Sequence, residues 1–346
     1  MTQALRLAEN GRYTAHPNPV VGCVIVSDGE VVGEGWHEVA GEAHAEINAL
    51  EAAAGKAQGA TVYVTLEPCS HHGKTPPCAE ALVKAGVGEV VIGTRDPHAQ
   101  VDGQGIRLLE AAGIKVRVGV MQEEVEQQLA GFLSRIGRGR PFVTLKMACS
   151  IDGRIAMANG ESQWITGPDA RADVQRLRAR SGAILSGIGT VLADDPSFTV
   201  HDPGIDTRGR QPVRVVLDAR LRMPLSAEML ALPGETLIYC GDNSKQQALV
   251  EAGAEVIAVG HQDGLVDVRA VLEDLARREI NDVLVEAGPV LAGSLLVNNL
   301  VDELVIYQAP HIMGSETMGM FETPTWTRLS DRKSLEITAT RRVGPD

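Results

Sequence analysis

A long apolar run is missing from this sequence, and so is any excess of positive charge. A membrane-spanning helix needs roughly 20 consecutive apolar residues, and no stretch of the 346-residue chain supplies them. No charged-then-apolar leader opens the chain either. The formal net charge is −13, whereas a surface that grips phosphodiester backbones needs clustered Lys and Arg. Membrane and nucleic-acid partners are therefore not expected. Internal repeats and low-complexity tracts are absent as well. Cysteine is sparse and odd in number, with five residues, Cys23, Cys69, Cys78, Cys149 and Cys240. Cys23, Cys149 and Cys240 fall within or at the ends of apolar strand-like runs and read as reduced core thiols. A soluble protein of the reducing cytoplasm is the expectation. A complete G-x-G-x-x-G is missing too: Gly187-Ile-Gly189 is followed by Thr-Val-Leu, so a Rossmann reading is weak.

What is present is a metal set. His44-Ala-Glu46 is followed by Pro68-Cys69 and then by Pro76-Pro77-Cys78. Two thiolates and one imidazole leave a tetrahedral zinc with an open fourth position, the arrangement of catalytic rather than structural sites. A carboxylate two residues after the histidine can handle protons for a water at that position. Glu46 is thus the catalytic candidate, and His44, Cys69 and Cys78 are the metal candidates. The β-branched run 61–66 reads as a buried strand that Pro68 ends. Cys78 opens an apolar helix-like run, and a helix N-terminus depresses a thiol pKa. Ordinary buried thiols and a surface histidine are the bland alternative, which the ordered combination makes hard to sustain. Zinc deaminases usually carry Pro-Cys-x-x-Cys. Here eight residues, Ser70 to Pro77, separate the cysteines, and that insertion is expected to shape the substrate pocket.

At 346 residues the chain exceeds one ordinary domain. Helices are expected up to Asn10 and over 43–54, 78–85, 104–112 and 122–136. Strands alternate with them over 20–26, 30–35, 61–66, 89–93 and 114–118. This is an α/β pattern with a parallel or mixed sheet covered on both faces. Gly137-Arg-Gly-Arg-Pro141 reads as a linker, giving domains 1–138 and 141–346. The second half alternates again, with strands over 142–148, 183–188, 213–218, 236–240, 255–259, 282–286 and 303–308. Within it, Glu286-Ala-Gly288 ends a strand and Pro289 opens a helix-like run. That is either an anion site of free backbone N–H groups or a plain strand-to-helix turn.

Three motifs in the first half, His16-Pro-Asn-Pro-Val-Val-Gly22, Gly41-Glu-Ala-His-Ala-Glu46 and Thr65-Leu-Glu-Pro-Cys-Ser-His-His-Gly-Lys-Thr-Pro-Pro-Cys78, resemble the bifunctional riboflavin-biosynthesis deaminase/reductases. Four in the second half agree: Leu145-Lys-Met-Ala-Cys-Ser-Ile-Asp-Gly153, Glu161-Ser-Gln-Trp-Ile-Thr166, Thr190-Val-Leu-Ala-Asp-Asp-Pro196 and Val285-Glu-Ala-Gly-Pro289. The resemblance implies a cytidine-deaminase-like three-layer α/β/α domain followed by a dihydrofolate-reductase-like α/β domain. It implies zinc and NADPH as cofactors, and a small phosphoribosylaminopyrimidine as the substrate. Deamination of its ring would be followed by reduction of its ribosyl group to ribityl. It also implies association into a homo-oligomer.

Individual positions carry over from the same resemblance. In the deaminase half, Asn18 would contact the pyrimidine, and His71 and Lys74 would face the sugar phosphate. A solvated loop lysine is the alternative for Lys74. Asp96 and His37 are further candidates, and His98 reads as a surface histidine. In the reductase half, Ser162, Arg178, Phe198, His201 and Glu286 match substrate positions. Cofactor positions are Ala148, Trp164, Thr190 and Asp194, with Gly288, Pro289, Val290, Leu291, Ala292, Gly293 and Ser294. Lys146 and Asp152 flank the strand end where the nicotinamide would lie.

Two departures stand out. His201 replaces an arginine common in the family, which would make phosphate contact there weaker and pH-dependent. The sequence stops at Val343-Gly-Pro-Asp346 where relatives continue through one more strand, which would leave a neighbouring strand as an exposed edge. Two other readings compete. One is a deaminase of another small nucleoside or base with a non-catalytic or impaired second domain; the other is a protein whose zinc only braces the fold.

Overall fold

The computed structural model describes residues 1–70, 77–98, 103–244, 246–262 and 264–346. The chain divides into two compact units, Met1–Arg140 and Pro141–Asp346. Both are α/β.

The first unit opens with helix α1 (Thr2–Ala8), then strands β1 (Gly22–Ser27) and β2 (Glu30–Trp36). Helix α2 (Ala45–Ala52), β3 (Thr61–Leu66), α3 (Cys78–Ala85), β4 (Glu89–Thr94), α4 (Gln104–Ala111) and β5 (Lys115–Val118) follow. The sheet order is β2-β1-β3-β4-β5. β1 runs antiparallel to both β2 and β3, while β3, β4 and β5 are parallel. The sheet is therefore mixed. Its core gathers Ile25, Val62, Val64, Val90 and Ile92 from the strands with Ala45, Ala49 and Leu82 from the helices.

Where one polar helix is expected over 122–136, the chain forms two, α5 (Gln122–Gln128) and α6 (Ala130–Arg138). Leu129 at the break is 2% exposed, and it is buried in the core with Val125 and Phe132. Burying these three apolar side chains sets where the chain bends, and the polar majority around them conceals that pattern.

The second unit holds a seven-stranded sheet. In chain order its elements are β6 (Phe142–Ser150), β7 (Arg154–Ala156), α7 (Pro168–Arg180), β8 (Ala183–Gly187), α8 (Ile188–Asp194) and β9 (Val213–Leu217). There follow α9 (Glu228–Ala231), β10 (Thr236–Cys240), α10 (Gln247–Glu251), β11 (Glu255–Ala258), β12 (His261–Gln262) and β13 (Leu265–Val266). Last come α11 (Val268–Arg277), β14 (Asp282–Glu286), α12 (Pro289–Val297), β15 (Glu303–Ala309) and β16 (Met318–Gly319). The order β11-β10-β9-β8-β14-β6-β15 is parallel throughout. A parallel sheet buried on both faces calls for near-continuous apolar strands, and Ala-Ile-Leu in β8 and Thr-Leu-Ile-Tyr-Cys in β10 are buried along their length. The short β7–β16 and β12–β13 pairs carry no alternation that the sequence pattern would reveal. β15 is an edge of the large sheet, and its Ile306 is exposed.

One close approach positions the chemistry of the first unit. Helix α2 lies on β2 with Ala45 and Ala49 inward, and Asn48 Nδ2 donates to the Trp36 carbonyl at 2.8 Å. A methyl group at Gly35 would meet Ala45 O and Ala49 N at 2.5 Å, both backbone atoms. Gly35→Ala must therefore lift α2 from the sheet. We expect it to cost about 1–3 kcal/mol, as overpacking does, read as a lower urea midpoint. An unchanged midpoint would show that the contact is slack.

Candidate active sites

Three elements bring the metal candidates together. β3 ends at Leu66, and the chain turns through Pro68 to Cys69. Cys78 is the first residue of α3, behind Pro77. His44 is the N-cap of α2 with an extended backbone (φ −76°, ψ 164°), so the helix starts slightly later than its apolar pattern suggests. Its Nδ1 lies 3.6 Å from Cys69 Sγ and 3.3 Å from Cys78 Sγ. All three ligand atoms lie within 4.8 Å of one another. Tetrahedral zinc with Zn–S near 2.3 Å and Zn–N near 2.0 Å places N and S about 3.5 Å apart. The donor set and its spacing fit zinc.

Electrostatics favour a thiolate at Cys69 but not at Cys78, where the helix start is expected to lower the thiol and the bond to Cys69 outweighs it. The Cys78 backbone N–H donates to Cys69 Sγ at 3.3 Å. A hydrogen bond from the Cys78 thiol, aided by His44, holds Cys69 as thiolate with its pKa lowered to about 4. The same bond pushes Cys78 up, and the bond to Cys69 raises His44. Glu46, in the first turn of α2, is 3% exposed. Burial first, and then the Cys69 charge, lifts its carboxyl to about 7. Cys23 is buried in β1, its thiol raised by burial and by Glu46.

Asn18 sits beside this group through His37. Asn18 Nδ2 is 2.9 Å from His37 Nε2, and His37 Nδ1 is 3.0 Å from the Ala43 carbonyl. The His37 and His44 rings meet edge to face at 5.3 Å. Burial lowers His37, so it is neutral, donating from Nδ1 and accepting from Asn18. Asp96 is buried beyond β4 and accepts from His98 N. His71 and Lys74 lie outside the described residues.

In the second unit a half-buried charge group lies across β14, β6 and α7. Arg178 forms two bonds to Glu286, Nε–Oε1 at 2.6 Å and Nη2–Oε2 at 3.1 Å, and a third to Thr199 O at 3.2 Å. Lys146 Nζ is 3.9 Å from Glu286 Oε2. Burial would raise Glu286, but Arg178 and Lys146 overcome it and hold the carboxyl below its ordinary value. Burial pulls Lys146 down despite Glu286. β6, β14 and β8 are neighbours, and crevices at the carboxyl ends of parallel strands are where such sheets bind ligands. Pro289 is the first residue of α12, behind Gly288, so this turn offers free N–H groups there.

The chain is similar to known proteins along its whole length. Residues 141–346 match the RibD C-terminal domain, and residues 1–94 match the cytidine and deoxycytidylate deaminase zinc-binding region. Riboflavin biosynthesis protein RibD of Escherichia coli K12 is 48% identical over 355 residues, covering 100% of this chain and 96% of that protein. This chain belongs to the RibD family. The structure of Acinetobacter baumannii RibD superposes with a TM-score of 0.93 at 42% identity, covering 99% of this chain and 95% of that one. A Thermotoga maritima deaminase/reductase does so with a TM-score of 0.84 at 33% identity, covering 98% and 93%. The chain thus pairs a zinc-binding deaminase domain with a reductase domain of the NADPH-dependent kind.

Within this RibD chain the reductase positions fall into distinct settings. Trp164 is 69% exposed, with the Arg171 guanidinium 4.5 Å from its ring centre. Asp194 accepts from Gln163 at 3.2 Å, Thr190 lies in α8, and Ser162 is half-buried. Ala148 packs against a small cluster containing Tyr307 and Leu284. Phe198 is buried, and the Arg178 guanidinium lies 5.7 Å from its ring centre. His201 is exposed, and its backbone N–H donates to Gln175. Along α12, Val290 is exposed, Leu291 and Ser294 are half-buried, and Ala292 is in the core. Gly293 packs against the backbone of Glu322. Asp152 accepts from Ser150 Oγ and from the N–H groups of Met313 and Gly314, which hold it down to about 2; it ties a loop.

The buried residue that pattern reading passed over is Glu67. It stands inside the recognised Leu-Glu-Pro-Cys run, and its partners are backbone groups distant in sequence.

Glu286→Gln would leave Arg178 and Lys146 without their counter-charge. Breaking a buried pair costs about 3–5 kcal/mol, so the second unit should unfold at markedly lower denaturant. The sign in pH follows from the depressed carboxyl. Its contribution is present above the ordinary carboxylate range and is lost as pH falls through the folded value. Acid titration of stability should therefore be shallower in the variant, and equal acid slopes would show that the pair contributes nothing.

Proposed function

We propose that this chain deaminates the diaminohydroxyphosphoribosylaminopyrimidine named for the Thermotoga relative and then reduces the resulting 5-amino-6-(5-phosphoribosylamino)uracil. The observation that carries the first step is a buried Glu46 beside a His44–Cys69–Cys78 group that fits zinc. Zinc there supplies the Lewis acidity that brings water within reach of deprotonation near neutral pH. Glu46 takes that proton on a carboxylate oxygen and delivers it to the leaving amine, so water is consumed and ammonia released. His37, neutral and donating to Ala43 O, orients the Asn18 amide toward the ring. His71 and Lys74 are assigned to the sugar phosphate on resemblance alone.

For the second step, NADPH supplies a hydride when bound. Glu286 and Lys146 hold the opening sugar, while Arg178 fixes Glu286 through its two bonds. Because Arg178 is engaged in this way, we assign it to positioning Glu286 ahead of phosphate contact. The free turn at Gly288–Pro289 is assigned to a cofactor phosphate. The family match over 141–346 counts against a second half that serves only assembly. The exposed edge of β15 favours a homo-oligomer. Five free cysteines, and the lack of any described helix long and apolar enough to cross a membrane, fit a cytoplasmic setting.

Zinc-loaded protein given the diaminopyrimidine should yield the uracil without cofactor and the ribityl product once NADPH is added, as read by product mass. Glu46→Gln should retain zinc while ammonia release falls by about 10²–10⁴-fold, the usual scale of acid–base catalysis. A zinc-loaded variant that deaminates normally would exclude the role of Glu46. Deamination with no reduction at all would exclude the second step.

A further inference from the structure

Glu67 lies two residues before Cys69 and is 3% exposed. A carboxylate in such a place needs a reason, since burying it costs several kcal/mol unless it is paired or well hydrogen-bonded. Its partners are backbone donors from the neighbouring elements. Oε2 faces the N–H groups of Asp96 at 3.4 Å and Gly103 at 3.2 Å, and Oε1 that of Ile106 at 3.3 Å. Asp96 follows β4, Gly103 is the N-cap of α4, and Ile106 is the third residue of that helix. One carboxylate therefore gathers the end of β4 and the first turn of α4, where the helix dipole also favours negative charge. The Glu67 backbone N–H donates to Thr94 O at 3.0 Å, so side chain and main chain both fasten this turn.

The helix is also pressed directly onto the turn. A methyl group at Gly105, the second residue of α4, would run into the Pro68 carbonyl oxygen. From the other side, Cys69 meets α3 through the N–H groups of Cys78 and Ala79. The Glu67–Pro68–Cys69 turn is thus clamped between α4 and α3.

We propose that Glu67 is the positioning residue of the zinc centre, holding the Cys69 thiolate at its distance from His44 and Cys78. It touches neither metal nor substrate, and it acts by fixing the backbone that carries Cys69. Supports of this kind typically change metal affinity or activity by about 10–100-fold when lost. The inference rests on zinc being held by His44, Cys69 and Cys78.

Glu67→Gln in the full chain is the test, because it keeps shape and one acceptor oxygen while turning an amide donor toward backbone donors. Zinc release to a chromogenic chelator should be about 10–100-fold faster. Deamination kcat should fall with little change in KM, and the NADPH-dependent reduction should stay as in the parent. Gly105→Ala, whose methyl group would run into the Pro68 carbonyl oxygen and lie 3.3 Å from Glu67 Oε1 while leaving the carboxylate in place, should also speed zinc release. It provides the reading if Glu67→Gln does not fold. Release and kcat within twofold of the parent in the folded variants, even with a lower melting temperature, would reduce Glu67 to a structural residue. A parent protein that takes up no zinc would instead overturn the ligand assignment itself.

Discussion

The first unit depends on holding two acidic groups close together where water is scarce. Cys69 is kept as thiolate, and Glu46 is buried beside it. Each would cost several kcal/mol if left unpaired, so the surrounding elements are arranged around that cost. Cys78 gives its backbone N–H to Cys69, and the first turn of α2 lies at Glu46. The small residues along α2 and the glycines of β2 let the helix come close enough to set His44 against both sulfurs. A divalent cation is the remaining charge that this arrangement calls for. The same burial lifts the Glu46 carboxyl to about 7, into the range where an acid can both give and accept a proton near neutrality.

The second unit solves a similar problem with different means. Glu286 stands half-buried at the end of a strand, and its charge is matched by a bidentate guanidinium and a nearby ammonium. Its pKa is therefore lowered where that of Glu46 is raised. One carboxyl is poised to exchange protons; the other is fixed as an anion that can orient donors on a sugar. Both stand at the ends of elements, where backbone groups are free.

The parts legible in the sequence were those whose meaning lies in local order. His44, Glu46, Cys69 and Cys78 are recognisable because a helix start, a strand end and a second helix start must each carry a particular donor. The strands of the parallel sheet were legible as apolar runs. Glu67 was not legible as a support, because its partners among the described residues are main-chain N–H groups that any residue but proline at 96, 103 or 106 would supply. The break at Leu129 was hidden among the polar residues of α5 and α6. The engagement of Arg178 with Glu286 joins residues 108 apart in sequence, so each could be read only as a separate match to a substrate position.

The long separation of the two cysteines also has a physical account. The bonds that set their geometry close at the cysteines themselves: Cys78 N to Cys69 Sγ, and Ala79 N to Cys69 O at 3.1 Å. Those contacts tie the end of the β3 turn to the first turn of α3 whatever the number of residues between them. The loop that separates the thiols is thereby released from the task of joining them. On the proposed reading, residues such as His71 and Lys74 answer to the substrate alone, and the metal geometry need not change when they do. A shorter Pro-Cys-x-x-Cys turn would have to serve both tasks with two residues. The clamp on the turn, with Glu67 on one side and the α3 backbone on the other, is what makes that division possible.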